Sequence, residues 1–206
     1  MDIRVYRDDL PRELVDSAPS SVAVDTETMG LLPHRDRLCV AQFCFGDGVC
    51  HIVQFKDYAG ADNIRAILHD ARILKIFHYA RFDMAMFFMY TRVMPKNIYC
   101  TKIASKLART YAAGHSLRDL CIELLGIEIS KEYTCSDWGA DDISSAQQEY
   151  AATDVLYLHQ IKTKLDEMLH RENRYDLAEA CFSFLPHRVM LDLMAGDAYD
   201  IFSHSS

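Results

Sequence analysis

The first half of the chain contains short apolar runs that are typical of β-strands. Runs rich in β-branched and aromatic residues cover 21–24, 38–45 and 49–55, and Gly46-Asp-Gly48 between the last two is a strong hairpin signal. A further short strand is predicted at 3–6. Three consecutive strands with such connections predict an antiparallel meander.

From about residue 61 the pattern changes to strands that alternate with helices. Helical spacing of apolar residues predicts helices over 61–69, 82–90 and 101–111, and strand-like runs at 72–77 and 98–100 lie between them. This alternation predicts parallel strands added to the sheet through βαβ connections. The predicted fold class is therefore α/β: a mixed sheet, with an antiparallel meander followed by parallel βαβ strands, flanked by helices.

The last third of the chain is predicted to be mostly helical. Ser144 is placed to cap a long helix from about residue 146 to 169. Residues 127–143 show no clear periodicity. The segment 175–202 predicts one or two helices that break near Pro186, because proline removes a helical hydrogen bond.

The whole chain, residues 1–206, has the length of one domain with a sizeable core. Residues from about 172 to 206 are predicted to form a C-terminal helical extension of that domain. An apolar stripe on the extension is explained equally well by core packing and by a subunit interface, and the sequence leaves both interpretations open.

Composition narrows the class of protein. Half of the residues are hydrophobic and a quarter are charged, which is typical of soluble globular proteins. The net charge of -8 argues against coating of long nucleic acid, but an acidic metal site neutralised by its ions is compatible with it. The seven cysteines include no C-x-x-C pair, which argues against structural zinc. With no signal-peptide pattern and no membrane-spanning run, we expect a cytoplasmic protein with reduced thiols and no membrane partner.

A carboxylate pair stands at the end of the first buried strand. Asp25 and Glu27 are alternate residues, so on a strand both point to the same face. Two like charges side by side are costly there without a proton or a cation between them, and Mg²⁺ or Mn²⁺ is the simplest partner. The alternative is that both acids lie past the strand end in water, and this stretch alone does not decide between the two.

Two further acidic positions favour the metal. Asp83 lies one turn into an almost entirely apolar helix, and Tyr150 and Asp154 are four residues apart on one side of the long helix. Each has an ordinary structural explanation by itself, a salt bridge to Arg81 or a hydrogen bond between Tyr150 and Asp154. Together with the carboxylate pair, they give four acids from three separate elements, which is what a two-metal phosphodiesterase site requires.

The motifs resemble those of the DEDD 3′-5′ exonuclease superfamily, in its tyrosine-bearing branch. The matching segments are Asp25-Thr-Glu27, His78 to Asp83, and Tyr150 to Asp154. The chain departs from the family pattern at Tyr79, where Asn is more usual. The similarity covers about residues 3–170 and looks like the catalytic domain of ribonuclease D. With only about 35 residues after the long helix, the chain also resembles the short nanoRNase C family.

The resemblance implies an RNase H-like fold and a two-metal mechanism. The implied ligands of two divalent cations, Mg²⁺ or Mn²⁺, are Asp25, Glu27, Asp83 and Asp154. Tyr150 is expected to orient the attacking water, since its ordinary pKa near 10 makes it a poor base. The implied reaction is 3′-to-5′ hydrolysis of very short RNAs, especially dinucleotides, to nucleoside 5′-monophosphates. These relatives assemble into octamers, which implies a homo-oligomer here.

Substrate contacts are predicted at four positions. They are Thr26, Leu31, His78 and Trp138. By family position, Leu31 is a wedge between the last two bases, and His78 lies close to the catalytic centre. Trp138, in the irregular segment, is expected either to stack on a base or to pack at an interface. A basic helical stripe over 102–109 either binds a 5′-phosphate or is a solvated face.

Two other functions stay open at this stage. One is a ribonuclease D-like general exonuclease that trims the 3′ ends of longer RNA or DNA. The other is a non-catalytic, nucleic-acid-binding scaffold. The net charge of -8 weighs against the first, and the presence of all four acids and the tyrosine weighs against the second.

Overall fold

A mixed β-sheet forms the centre of the fold. The computed structural model describes residues 1–17, 19–130 and 136–195. The strands are β1 (Asp2–Arg7), β2 (Ser21–Thr28), β3 (Leu38–Cys44), β4 (Val49–Gln54), β5 (Leu74–Phe77) and β6 (Ile98–Cys100). The helices are α1 (Arg12–Asp16), α2 (Asp62–His69), α3 (Ala80–Thr91), α4 (Thr101–Ala108), α5 (Leu117–Leu120, followed by a π-helical turn, Cys121–Leu125), α6 (Ser145–Leu156), α7 (Leu158–Arg171) and α8 (Tyr175–Ala195).

The topology of the sheet confirms the predicted fold class. The strand order is β1-β4-β3-β2-β5-β6. Strands β2, β3 and β4 pair antiparallel, as expected for the meander, and β5 and β6 are added in parallel next to β2. β1 pairs in parallel with β4 at one edge. As a result, β2 lies in the interior of the sheet, between β3 and β5.

Helices cover both faces of the sheet. Phe87 of α3 packs against Phe43 of β3, so α3 lies on the face to which Phe43 points. α6 packs across β2, β3 and β4. Gln42, next to Phe43 on β3, points to the opposite face, and Asp25 is its cross-strand partner on that face. α6 places Asp154 beside Asp25, so α6 covers the face that carries Asp25 and Gln42.

Two helix predictions are corrected by the structure. The long helix is two helices, α6 and α7, which meet at Tyr157, where α6 ends. The predicted break near Pro186 is wrong, because α8 continues through this proline. Phe182 and Val189, on either side of Pro186, are buried, and α8 packs against α3, α4, α7 and β6, so tertiary packing outweighs one lost backbone hydrogen bond.

The predicted C-terminal extension is described only in part. α8 accounts for residues 175–195, and the rest of that prediction lies outside the described residues, as do 131–135 of the irregular segment. Across the part of the chain that the structure describes, no helix has the length and apolar character needed to cross a membrane.

Candidate active site

Two of the predicted acids lie on the central strand of the sheet. Asp25 and Glu27 are alternate residues near the end of β2 and share one face. β2 pairs with β5 only as far as Ala23, whereas its pairing with β3 continues through Glu27. Both carboxylates are therefore positioned just past the point where β5 ends and the chain turns into α3.

The third acid comes from the helix that covers this face. α6 begins at Ser144, whose side chain forms a capping box with Gln147. Its packing across the sheet brings Asp154 to the carboxylate pair. One oxygen from each of Asp25, Glu27 and Asp154 lies within 4.8 Å of the others, and all three residues are partly buried. Acids that are 129 residues apart in sequence thus meet at one point.

The fourth acid lies beside this group of three. Asp83 is in the first turn of α3 and only 3% exposed. Its Oδ1 accepts a hydrogen bond of 2.6 Å from the hydroxyl of Thr26, which lies between the carboxylate pair on β2. Asp83 is not within the 4.8 Å set, but it is near enough for its charge to raise the pKa of Glu27.

The pKa values of all four acids are raised, with no positively charged side chain to offset the effect among the described residues. Burial raises the pKa of Asp25 to about 7. Burial, together with repulsion from the other three acids, raises the pKa of Glu27 to about 10. Burial and the charge of Asp25 also raise the pKa values of Asp83 and Asp154. Among the described residues, no lysine or arginine acts on these pKa values.

These residues fit a divalent cation. An all-oxygen set of partly buried carboxylates is the donor set that Mg²⁺ and Mn²⁺ prefer. The raised pKa values mark carboxylates that lack a counter-charge within the protein, and a bound cation supplies one. The arrangement is chemically suited to metal-assisted hydrolysis of a phosphodiester.

The predicted substrate contacts are placed differently from one another. Leu31 is 80% exposed in the loop after β2, as a wedge between bases requires. His78 follows β5, its Nδ1 lies 2.9 Å from the hydroxyl of Thr101, and burial lowers its pKa to about 3, so the imidazole is neutral. The hydroxyl of Thr26 donates its hydrogen bond to Asp83, so Thr26 contacts one of the four acids.

Two expectations about substrate contacts are corrected. Trp138 is only 2% exposed and packs against Tyr150 at a ring-centroid distance of 6.1 Å, so it offers no face on which a base can stack. Arg109 is not part of an exposed basic stripe, because its side chain is 1% exposed and ion-paired with Glu123. Lys102 remains on the surface of α4, with its Nζ 4.5 Å from the ring centroid of Tyr79.

Tyr79 occupies a demanding backbone position. It precedes α3 in the left-handed region, at φ 70° and ψ 43°. Asn, which is more usual in the family at this position, tolerates that conformation better than a bulky residue does. Tyr79 is 47% exposed and borders a pocket that is also lined by Leu31 and His34.

Gln42 is a residue near the site that sequence reasoning missed. It lies on β3 directly opposite Asp25 and is completely buried. The available signal was a single polar residue inside Leu38–Cys44, a strand that is otherwise apolar and buried along its whole length.

The comparisons with known proteins agree with the motifs. A family model described as 3′-5′ exonuclease matches residues 5–170. The chain belongs to this family of 3′-5′ exonucleases. The resemblance predicted from the motifs is confirmed by this match.

A solved structure resembles the whole chain. NrnC of Brucella melitensis is 50% identical to it over the full length of both chains, with a TM-score of 0.94. That protein has also been seen bound to pGG and with bound Mg²⁺. The ribonuclease D of Escherichia coli, at 24% identity and a TM-score of 0.74, supports the fold alone.

The curated relatives are longer proteins. The ribonuclease D of Gluconacetobacter diazotrophicus is 30% identical over 155 residues, which cover 75% of this chain and 39% of the relative. The ribonuclease D of Xanthomonas oryzae pv. oryzae is 30% identical over 168 residues, 80% of this chain and 46% of the relative. The chain thus spans less than half the length of these ribonuclease D relatives.

Proposed function

We propose that this protein is a metal-dependent 3′-to-5′ exoribonuclease that hydrolyses very short RNAs, especially dinucleotides, to nucleoside 5′-monophosphates. The observation that carries the proposal is the convergence of Asp25, Glu27 and Asp154 within 4.8 Å, with Asp83 beside them. The likeness to NrnC, which has been seen with pGG, supports the choice of a dinucleotide as substrate.

Four acids would hold two divalent cations. Asp25, whose charge raises the pKa values of the other three acids, would contribute to both sites, Glu27 and Asp154 to one, and Asp83 to the other. When bound, such ions supply an activated water and stabilise charge on the phosphate. The acids must be ionised to bind them, so their raised pKa values predict that binding releases protons.

Tyr150 would position the attacking water. It lies one helical turn before Asp154 on α6, and its ring is held by Trp138. The contact with the buried Trp138 would restrain the ring and so help to orient a water. The buried Trp138 thus acts through Tyr150 and not on the substrate.

The surroundings of the acids suit a short substrate. Leu31, at 80% exposure, would separate the two bases. The neutral His78 would offer its remaining ring nitrogen to the substrate without repelling the cations. Lys102, on the adjacent start of α4, is a surface cation for a terminal phosphate.

We also propose a homo-oligomer in which α8 makes a subunit contact. Phe182, Leu185 and Val189 are core residues, so core packing explains one side of the helix. Met190 and Met194 stay 38% and 80% exposed on another side. Light scattering of the purified protein should give the mass of an oligomer, and a monomeric mass would contradict this part of the proposal.

The proposal is tested with 5′-labelled RNAs of two and seven nucleotides, in Mg²⁺ or Mn²⁺, beside the Asp25→Ala variant. Consumption of the dinucleotide far faster than the heptamer is the expected result. Stepwise shortening of the heptamer with a persistent dinucleotide product would instead favour a general, ribonuclease D-like exonuclease. No metal-dependent cleavage of either RNA, or wild-type rates for Asp25→Ala, would refute the enzymatic assignment.

A further inference from the structure

Gln42 carries a buried amide group without hydrogen-bond partners. Its side chain is 0% exposed, and within the described part of the chain neither Nε2 nor Oε1 makes a hydrogen bond. Buried polar groups are nearly always paired in folded proteins, because leaving one unpaired costs its full desolvation. An unpaired amide kept at such a position indicates a hydrogen bond that forms only in another state of the site.

The position of Gln42 points to the acid cluster. It is the cross-strand partner of Asp25 in the antiparallel pairing of β2 and β3, so the two side chains leave the same face of the sheet. Cβ atoms of such partners lie about 4.5–5.5 Å apart, within reach of a glutamine side chain. Glu27, two residues along β2, is the diagonal neighbour on this face. This face is covered by α6, the helix that carries Asp154.

The chemistry of an amide suits this place. Asp25 needs a hydrogen-bond donor once it is ionised, since a carboxylate only accepts hydrogen bonds. A lysine or arginine would supply donors but would also neutralise Asp25 and repel a cation. The amide of Gln42 donates without adding charge, so it can hold the carboxylate while leaving its charge to the metal.

We propose that Gln42 is a positioning residue of the metal site, whose Nε2 donates to the Asp25 carboxylate when a divalent cation is bound. The inference rests on the proposed function, because it takes the acid cluster as a metal site. Hydrogen bonds from neighbouring groups orient ligating carboxylates, and their loss commonly weakens metal binding about 10- to 100-fold.

Gln54 provides a matched control on the same sheet. It lies on β4 and is 2% exposed. Its cross-strand partner is Val40, which lies two residues before Gln42 on β3, so Gln54 and Gln42 point to the same face of the sheet. Its Nε2 donates a 2.8 Å hydrogen bond to the carbonyl of Ala140. Gln54 is thus a buried glutamine whose amide already has a hydrogen-bond partner in the folded chain.

The experiment compares Gln42→Met and Gln54→Met, since methionine keeps the shape and removes the amide. Mn²⁺ affinity is measured by titration calorimetry, and thermal unfolding is measured in EDTA. For Gln42→Met we expect Mn²⁺ affinity to fall about 10- to 100-fold. Its metal-free melting temperature should rise by about 2–4 °C, because two unpaired polar atoms are removed. Gln54→Met should show the reverse, a lower melting temperature with unchanged Mn²⁺ affinity.

The result separates the inference from the proposed function. If wild-type protein binds no Mn²⁺, the metal site itself fails. If wild type binds Mn²⁺ and Gln42→Met binds it within about twofold as well, only the role of Gln42 is refuted. A metal-free melting temperature that falls in both Gln42→Met and Gln42→Leu would also refute it, since the amide would then stabilise the fold. In activity assays, raised Mn²⁺ should restore kcat in Gln42→Met and leave KM for the RNA unchanged.

Discussion

Two regions of the molecule bury charged side chains in opposite ways. Arg109 is 1% exposed, and its guanidinium is ion-paired with Glu123 and donates to the Ser105 hydroxyl at 2.8 Å and the Gly114 carbonyl at 3.1 Å. The acids around Asp25 have no such cationic partner among the described residues, and burial raises their pKa values.

The difference separates a structural charge from a functional one. At Arg109 the chain itself provides every counter-group, and the hydrogen bonds from Arg109 lower the pKa of Glu123. At Asp25 the described residues supply no cation, so the acids form an unfavourable cluster that the proposed metal would relieve. Burial of charge alone identifies neither type of site, whereas the presence or absence of partners in the chain does.

The largest effect should come from Asp25→Asn. We expect RNA cleavage to fall by about 10³-fold or more, because several kcal/mol of charge stabilisation in the transition state is lost. The circular dichroism spectrum should stay that of wild type. Asp70→Asn, which alters an ion pair to Arg72 elsewhere on the surface, is the control and should retain full activity. Equal losses of RNA cleavage in Asp25→Asn and Asp70→Asn would contradict a special role for the charge of Asp25.

The stability of the metal-free protein should fall as the pH rises. The unfolded chain releases the protons of these carboxyls near pH 4, whereas the folded protein holds that of Asp25 up to about pH 7 and that of Glu27 up to about pH 10. Between these limits the folded state binds more protons. The free energy of unfolding therefore decreases, by about 1.4 kcal/mol per pH unit for each such carboxyl.

Urea unfolding in EDTA at several pH values measures this dependence. The slope should be smaller in Asp25→Asn, and Mn²⁺ should restore stability at high pH by binding only the folded state. A metal-free protein that is more stable at pH 8 than at pH 5 would contradict the account of the acid cluster.

Removal of the counter-charge at the structural site should cost stability but not metal binding. Glu123→Gln leaves the buried Arg109 without its anion. Breaking a buried pair costs about 3–5 kcal/mol, and since Glu123 is 41% exposed we expect a smaller loss, about 2 kcal/mol. Chemical denaturation measures the loss, and Mn²⁺ titration should match wild type. Glu128→Gln, in a more exposed pair with Arg118, should cost less than about 1 kcal/mol.

The smallest effect is expected at Thr26. Thr26→Val removes the 2.6 Å hydrogen bond to Asp83 while keeping the shape of the side chain. We expect about tenfold weaker Mn²⁺ activation of RNA cleavage, since an oriented carboxylate loses one partner. Thr91→Val on the same helix as Asp83, where the hydroxyl donates to the Phe87 carbonyl, should leave activation unchanged. If both variants behave alike, the contact to Asp83 has no role in the site.

Local patterns predicted most of the fold. The hairpin signal at Gly46 and Gly48 and the later alternation of strands and helices were sufficient for the mixed sheet, because strand and helix periods are properties of adjacent residues. The break at Tyr157 and the unbroken passage through Pro186 were not predictable in this way. They depend on what α7 and α8 pack against, which is tertiary information.

The site shows the same limit. Asp25, Glu27, Asp83 and Asp154 were predicted from the sequence because acids next to apolar segments are visible there and because together they match the family motifs. Whether Trp138 is exposed, and whether Arg109 has a counter-ion, depends on contacts with Tyr150 and with Glu123, which lies fourteen residues beyond Arg109. The sequence thus predicted the acids of the candidate site, and the structure was needed to show that Trp138 and Arg109 are buried and paired within the chain.

The interior position of β2 also bears on how the molecule opens and closes. β2 is hydrogen-bonded to β3 on one side and β5 on the other, and Val22, Ala23 and Val24 are completely buried. Backbone amides in such a strand exchange with solvent only when the whole domain unfolds, so they should be among the slowest to exchange. Asp25 and Glu27 are thus fixed to the part of the chain that fluctuates least. Any adjustment of the site during turnover should fall to Asp83, Asp154 and the loop that carries Leu31.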